Sequence, residues 1–190
     1  VDVLLGGRRG TAAMRIEALA ASRGVQVAWR PFLLGPIFNQ QGWNDSPFNI
    51  YPVKGRYMWR DMERICEGLG LPLRRPSVFP RNGLLAARVI CAHAEAAWVP
   101  DFVRAIYRAN FVDDAEISNP AVVGKCLSEL GQDATTILAA AQSQAAKDKL
   151  KAQTAEAMER GIFGAPTFLV GNELFWGNDR LEDAIAWALR

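Results

Sequence analysis

Three cysteines and one histidine are the side chains of this sequence most suited to nucleophilic, redox or metal chemistry. Cys66, Cys91 and Cys126 are far apart, and each lies in an apolar helical pattern, which favours small buried core residues. Because no Cys-x-x-Cys pair occurs, the dithiol mechanism of a disulfide oxidoreductase lacks its chemistry. His93 has no second pair of ligands nearby, so we expect no metal site and place it at a helix surface or boundary.

The stretch from Phe163 to Leu181 indicates a different kind of site, built from main chain and polar side chains. A helix end, a proline, a hairpin and a further helix follow one another, as in the second half of a thioredoxin fold. We therefore expect a cis bond before Pro166. In that fold, the main chain of the preceding residue, here Ala165, can pair with an extended peptide as an added strand. The stretch predicts a site for a peptide-like thiol such as glutathione.

Local signals predict the elements around this site. Gly164 is expected to end the preceding helix by taking positive φ. Strand formers at 167–170 and 174–176 flank Gly171-Asn172, which predicts a tight hairpin. Asp179 is expected to cap the last helix. Three residues would form the apolar stripe of that helix: Leu181, Ile185 and Leu189.

The N-terminal part of the chain predicts a β-α-β unit, which is the first half of a thioredoxin fold. The signals are a strand at 2–5, a helix at 12–22 and a strand at 25–29 that Pro31 breaks. The crossover should be right-handed. Residues 32–56 are interpreted as a long, ordered and functional loop.

Helical patterns dominate the middle of the chain, at 57–68, 84–97, 100–111, 120–130, 134–142 and 145–162. The fold class predicted is therefore α/β, a thioredoxin fold with a large all-helical insertion between its two halves. We expect residues 1–33 and 144–190 to form the thioredoxin-like domain and residues 34–143 to form the loop and helical insertion. Ligand sites should lie at the seam between them.

Bulk composition excludes several classes of partner. A chain of 190 residues suits one domain with a large insertion. The net charge is +2 with no basic block, so nucleic acid is not expected as a partner. No apolar run approaches the roughly 20 residues that cross a bilayer, so no membrane partner is expected and a cytoplasmic location is the default.

Four segments together closely resemble the 2-hydroxychromene-2-carboxylate isomerases, which are glutathione-dependent relatives of kappa-class glutathione transferases and DsbA-like oxidoreductases. The segments are Gly164 to Thr167 taken with Phe175 to Leu181, Arg30 to Phe38, Tyr57 to Asp61, and Asn82 to Arg88. Within the first, the Trp-Gly-Asn-Asp-Arg run is the most specific. The likeness spans from about Ala12 to the C terminus.

The resemblance implies that glutathione thiolate adds to a carbon–carbon double bond of an unsaturated aromatic keto acid. Bond rotation or ring closure follows, and the thiol leaves. The sulfur would sit at the N terminus of the first helix, where unpaired N–H groups stabilise negative charge. The resemblance also implies a homodimer.

Site residues are carried over by the same resemblance. Ala165 and Pro166 would meet the glutathione backbone, and Trp176, Gly177, Asn178 and Asp179 its γ-glutamyl end. Plain helix capping for Asp179 and a core position for Trp176 are equally open. For the keto acid, the candidates are Asn39, Asn49, Arg81 and Asn82. Asn39 stands where the family has a lysine, which weakens the match to the chromene carboxylate itself.

The family's serine at the start of the first helix is missing. Gly6 or Gly7 stands at that point, and Gly10-Thr11 follows. Three explanations are open: an altered or non-catalytic relative, a misread or frame-shifted coding sequence for this segment, or Thr11 in the serine's role. The alternatives to an isomerase are a glutathione transferase-like enzyme on another electrophile and a non-catalytic glutathione-binding relative.

Overall fold

The computed structural model describes residues 1–5 and 10–190. Its strands are β1 (Asp2–Leu5), β2 (Ala28–Pro31), β3 (Thr167–Val170) and β4 (Glu173–Trp176). They form one sheet in the order β2-β1-β3-β4. β1 and β2 are parallel, whereas β3 is antiparallel to both β1 and β4. This sheet is that of a thioredoxin fold, as the sequence predicts.

The second strand begins three residues later than predicted. The main-chain N–H of Val25 bonds to the carbonyl of Ala20, and Gly24 takes φ 68°, so this stretch still completes the end of the first helix. Pro31 does not break the strand but is its last residue, paired with Leu5. A proline is tolerated there because β2 is an edge strand.

Helices make up most of the remaining described chain. They are α1 (Gly10–Ala21), α2 (Leu34–Gln40), α3 (Pro47–Ile50), α4 (Pro52–Gly68), α5 (Leu84–Ala92), α6 (Val99–Phe111), α7 (Pro120–Glu129), α8 (Ala134–Gln142), α9 (Gln144–Glu159) and α10 (Leu181–Trp187). The helices α2 to α8 lie within residues 34–143, the range predicted for the insertion. None of the helices in the described ranges is long and apolar enough to cross a membrane.

The prediction of a loop over 32–56 is wrong, because α2, α3 and the first turn of α4 lie within it. Two of these helices begin with proline, a residue that suits the first helical position. Pro47 follows Ser46, whose hydroxyl accepts a hydrogen bond from the N–H of Phe48 and so caps α3. Proline therefore starts helices in this segment, which are too short to show a helical periodicity in the sequence.

Two predicted helix ends are also wrong. α9 ends at Glu159, and Gly161, not Gly164, takes the positive φ of 73° that terminates it. Asp179 does not cap α10, because residues 178–180 form a separate 3-10 turn before the helix begins. Leu181 and Ile185 are buried as predicted, but Leu189 lies beyond the helix and is exposed.

Apolar side chains from the sheet, α1, α6 and α10 form the main core. Val3 and Phe168 of the sheet pack with Ile16, Phe102 and Ile185 of these helices. The two-residue hairpin turn at 171–172 is confirmed by the pairing of Val170 with Glu173. The core holds the start of α1 and the start of β3 in fixed positions, and these are the two places that matter for the site.

The cysteines and His93 lie where the sequence analysis placed them. Cys66, Cys91 and Cys126 are buried free thiols. His93 directly follows α5 and is half-buried. The division of the chain at residues 33 and 144 stays a prediction.

Candidate functional site

Thr11 is the second residue of α1 and is only 3% exposed. Its hydroxyl donates a hydrogen bond to Oδ1 of Asn178, 3.1 Å away. Asn178 is buried in the 3-10 turn that follows β4. The fold therefore joins the start of α1 to the Trp-Gly-Asn-Asp run through two side chains that the sequence analysis selected.

The bond between Ala165 and Pro166 is cis, as expected. The Pro166 carbonyl accepts a hydrogen bond from the N–H of Gly177 at 3.0 Å, which ties the start of β3 to the end of β4. The Thr167 hydroxyl donates to the carbonyl of Gly164 at 2.8 Å. Within the described ranges, the main-chain N–H and C=O of half-buried Ala165 have no hydrogen-bond partner. Among the described residues, nothing therefore occupies the main chain that the predicted site requires.

Trp176 forms an exposed aromatic surface next to that main chain. It is 48% exposed, which excludes the core position left open by the sequence, and its ring lies 5.0 Å from that of Phe163. A Cβ at Gly164 would lie 2.4 Å from Nε1 of Trp176, so only glycine allows the indole this position.

Asp179 projects into solvent, with its side chain 70% exposed and a carboxylate oxygen 3.4 Å from the guanidinium of Arg180. Gly177 precedes it with φ 110°, a conformation that favours glycine. A Cβ at Gly177 would also lie 2.5 Å from Oδ1 of Asp179. The Asp179 carboxylate therefore lies against Gly177, the residue after Trp176, and is accessible to a ligand.

A cavity of about 520 Å³ lies between the segment that follows β2, the start of α5, and α6. Its walls are mainly apolar, and it contains three of the four predicted substrate residues: Asn39, Arg81 and Asn82. Asn49 does not line this cavity; its amide donates to Asp45, which does, and to the carbonyl of Phe79. A cavity of this size suits a small aromatic molecule.

Arg81 lies in the cavity wall, only 3% exposed, and its guanidinium is engaged by the protein. It donates to Asp114 and to Ser77, and to Oδ1 of Asn110 at 3.1 Å. The N–H of Ser77 and the Arg81 guanidinium hold the pKa of Asp114 at about 2. Arg81 therefore reaches the cavity as one member of a charge-balanced cluster.

Tyr107 of α6 connects the two regions. It lines the cavity, and its ring lies so close to Gly10 that a Cβ there would be 2.9 Å from Cδ1 of Tyr107. Burial raises the pKa of Tyr107, so the phenol stays protonated at neutral pH. The start of α1, where a thiolate would be stabilised, is thus in contact with the cavity wall.

Sequence reasoning missed Tyr107 and Asn110. Both lie on one face of α6, three residues apart, within a helix whose buried side is otherwise apolar. A polar side chain at a buried position of an apolar stripe is the signal that could have indicated Asn110.

The segment 6–9, where the sequence departs from the family pattern, lies outside the described residues. The described residues include no cluster of three or more His, Cys, Asp or Glu side chains that could hold a metal ion.

Comparisons with known proteins agree with this geometry. The model of the DsbA-like thioredoxin domain matches residues 11–186. A 2-hydroxychromene-2-carboxylate isomerase of Pseudomonas putida is 32% identical over 170 residues, which cover 88% of this chain and 81% of the relative. The chain belongs to the 2-hydroxychromene-2-carboxylate isomerase family. That membership identifies it as an enzyme.

Solved structures extend the likeness to three dimensions. The structure of a 2-hydroxychromene-2-carboxylate isomerase matches with a TM-score of 0.84 at 26% identity, covering 100% of this chain and 95% of that chain. The cytosolic disulfide reductase DsbM from Pseudomonas aeruginosa, solved with GSH, matches with a TM-score of 0.65 at 17% identity, covering 99% of this chain and 95% of that chain. At that identity, the second likeness concerns the fold alone.

Proposed function

We propose that this enzyme is a glutathione-dependent isomerase acting on an unsaturated aromatic keto acid of the 2-hydroxychromene-2-carboxylate type. The observation that carries the proposal is the contact between Gly10 and Tyr107. It places the start of α1, with its unpaired N–H groups, against the wall of an apolar cavity large enough for an aromatic substrate. On this proposal, a sulfur held at the start of α1 would meet the substrate double bond beside the Tyr107 ring.

Glutathione would bind along the open main chain of Ala165, with its cysteinyl residue paired as an added strand. Asn178 and Asp179 would meet its γ-glutamyl end, and the exposed indole of Trp176 would pack beside it. The Asp179 carboxylate is suited to the γ-glutamyl ammonium group, because it is exposed and only one cation, Arg180, lies close to it among the described residues.

The thiolate would be stabilised by main-chain N–H groups in the first turn of α1. The Thr11 hydroxyl donates a hydrogen bond to Oδ1 of Asn178, so its contribution is to hold the Asn178 amide in place. Bound in this way, glutathione would supply a thiolate for reversible addition to the substrate double bond, which would allow rotation about the resulting single bond before the thiol leaves. No net oxidation or reduction takes place.

A glutathione transferase-like activity on another electrophile is the second candidate. It is favoured by one observation: in the described part of the cavity wall the only cation is Arg81, and Asp114 engages it. A neutral electrophile would therefore fit the cavity as well as a carboxylate. The expected homodimer and cytoplasmic location stay predictions.

The test is spectrophotometric isomerisation of 2-hydroxychromene-2-carboxylate by the purified protein, with and without reduced glutathione. We expect turnover that requires glutathione. Glutathione consumption with a conjugated product would instead support the transferase. Glutathione binding without either reaction would support the non-catalytic alternative.

A further inference from the structure

Asn110 is a buried polar side chain in the wall of the cavity. It lies on α6 one turn after Tyr107 and is only 4% exposed. Its neighbours on the buried side of the helix, Phe102, Val103 and Ile106, are apolar. A buried amide is costly unless its polar atoms have partners, so each of them has to be accounted for.

The oxygen of this amide is held by Arg81. One terminal nitrogen of Arg81 donates to Oδ1 of Asn110 at 3.1 Å and also approaches its main-chain oxygen at 3.4 Å. The opposite orientation of the amide would set its N–H groups against a guanidinium, which has only donors. Arg81 is fixed in turn by Asp114 and by Ser77, so the direction of the Asn110 amide is set by the protein.

The nitrogen of the same amide is uncommitted. Nδ2 of Asn110 has no hydrogen-bond partner anywhere in residues 1–5 or 10–190, whereas Oδ1 on the opposite side of the group is occupied. Asn110 lines the cavity, and the cavity is the place where a ligand oxygen can supply the missing acceptor. A donor that the protein orients and that has no partner among the described residues suits a site that binds a specific ligand atom.

We propose that Nδ2 of Asn110 donates a hydrogen bond to the ketone oxygen of the substrate, and that Arg81 acts through Asn110 as a positioning residue. This inference rests on the proposed function. When the thiolate adds to the double bond, a carbon–sulfur bond forms and the π electrons move to the ketone oxygen, giving an enolate. The same pair returns when the thiolate leaves. A fixed donor at this oxygen stabilises the enolate more than the neutral ketone.

The first experiment compares two unreactive probes, phenylpyruvate and hydrocinnamate, which share an aromatic ring and a carboxylate but differ in the ketone. Binding is followed by quenching of tryptophan fluorescence, since Trp43 lines the cavity. We expect Asn110→Ala to weaken phenylpyruvate binding about fivefold to tenfold and to change hydrocinnamate binding by less than about twofold. In the isomerase assay, KM should rise by a similar factor because the ketone contact is lost, and kcat should fall about a hundredfold because the enolate loses its donor.

Two further variants separate this role from a structural one. Asn110→Asp keeps an oxygen for Arg81 but removes the donor, and it should lose the preference for the ketone probe while remaining folded by circular dichroism. Arg81→Lys should reduce the same preference because lysine lacks the planar guanidinium that bonds Asn110 with one nitrogen and Ser77 and Asp114 with the other. Asn44→Ala removes an exposed amide that also lines the cavity and should leave the preference unchanged.

Equal weakening of both probes in Asn110→Ala and Asn110→Asp would overturn the inference, because that pattern indicates only damage to the cavity. Unchanged kcat in a folded Asn110→Asp variant would overturn it as well, and would leave the proposed function intact. A wild-type protein that neither binds the probes nor turns over the chromene would refute the proposed function itself, and the inference with it.

Discussion

The hydrogen bond between Thr11 and Asn178 offers the sharpest test of how the site is held together. Both side chains are buried, at 3% and 6% exposure, and the bond joins α1 to the turn after β4. Thr11→Val removes the hydroxyl with almost no change in shape. Oδ1 of Asn178 then loses its donor in a buried environment, which costs about 1–3 kcal/mol of unfolding free energy.

The measurement is urea unfolding followed by circular dichroism. With a slope of roughly 2 kcal/mol per molar urea, a loss of about 2 kcal/mol lowers the midpoint by roughly 1 M. Calorimetric titration of glutathione should show weaker binding, because the Asn178 amide is no longer fixed. Thr11→Ser keeps the hydroxyl and loses a buried methyl group, so it should lower stability by about 1 kcal/mol while retaining glutathione affinity.

Thr154→Val is the matched control. Its hydroxyl is buried and bonded to the carbonyl of Leu150 and the N–H of Leu33, away from the glutathione residues. It should lower stability by a similar amount and leave glutathione affinity unchanged. The reasoning is refuted if Thr11→Val unfolds at the wild-type urea concentration, or if it weakens glutathione binding no more than Thr154→Val does.

Three further predictions follow from individual contacts. Gly164→Ala places a methyl group 2.4 Å from Nε1 of Trp176 and should displace the indole. Calorimetry should then show glutathione binding weakened about tenfold. Gly68→Ala, whose methyl group meets no atom within 4 Å, should leave glutathione binding unchanged. The pKa of Asp114 is lowered from 3.8 to about 2, so the stability that this carboxylate contributes is complete above pH 3.8 and is lost as the pH falls through 2. Urea unfolding midpoints should therefore decline over that pH range, and Asp114→Asn should remove this part of the decline. Burial raises the pKa of Cys91 to about 11 and also raises the pKa of Cys66 and Cys126. All three thiols should therefore fail to react with Ellman's reagent at about pH 8 until guanidinium unfolds the chain. Rapid reaction of the folded protein would contradict their burial.

Local signals were sufficient for the parts of the fold that depend on neighbours in sequence. The Gly171-Asn172 turn could be predicted because it is complete within a few residues. The cap of α8 is equally local: the Asp133 carboxylate accepts from the N–H groups of Thr135 and Thr136. The first turn of α4, which begins at Pro52, was missed because the residues before Tyr57 show little helical periodicity, although proline suits the first helical position.

The candidate site was predicted only in part, because its decisive contacts join residues far apart in sequence. The orientation of the Asn110 amide depends on Arg81, 29 positions earlier. Neither the sequence around Asn110 nor the sequence around Arg81 indicates that Arg81 holds this amide. Gly10 and Tyr107 lie nearly a hundred positions apart, so no spacing rule could pair them. The cis bond at Pro166 was accessible because helix, proline and hairpin follow one another directly.

The measurement that tests the central claim most directly is a crystal structure of the protein soaked with reduced glutathione. We expect the cysteinyl N–H and C=O of the tripeptide to pair with the main chain of Ala165, its γ-glutamyl end to contact Asn178 and Asp179, and its sulfur to lie at the start of α1 facing Tyr107. Glutathione bound elsewhere, or an unoccupied Ala165 main chain at saturating glutathione, would contradict the account.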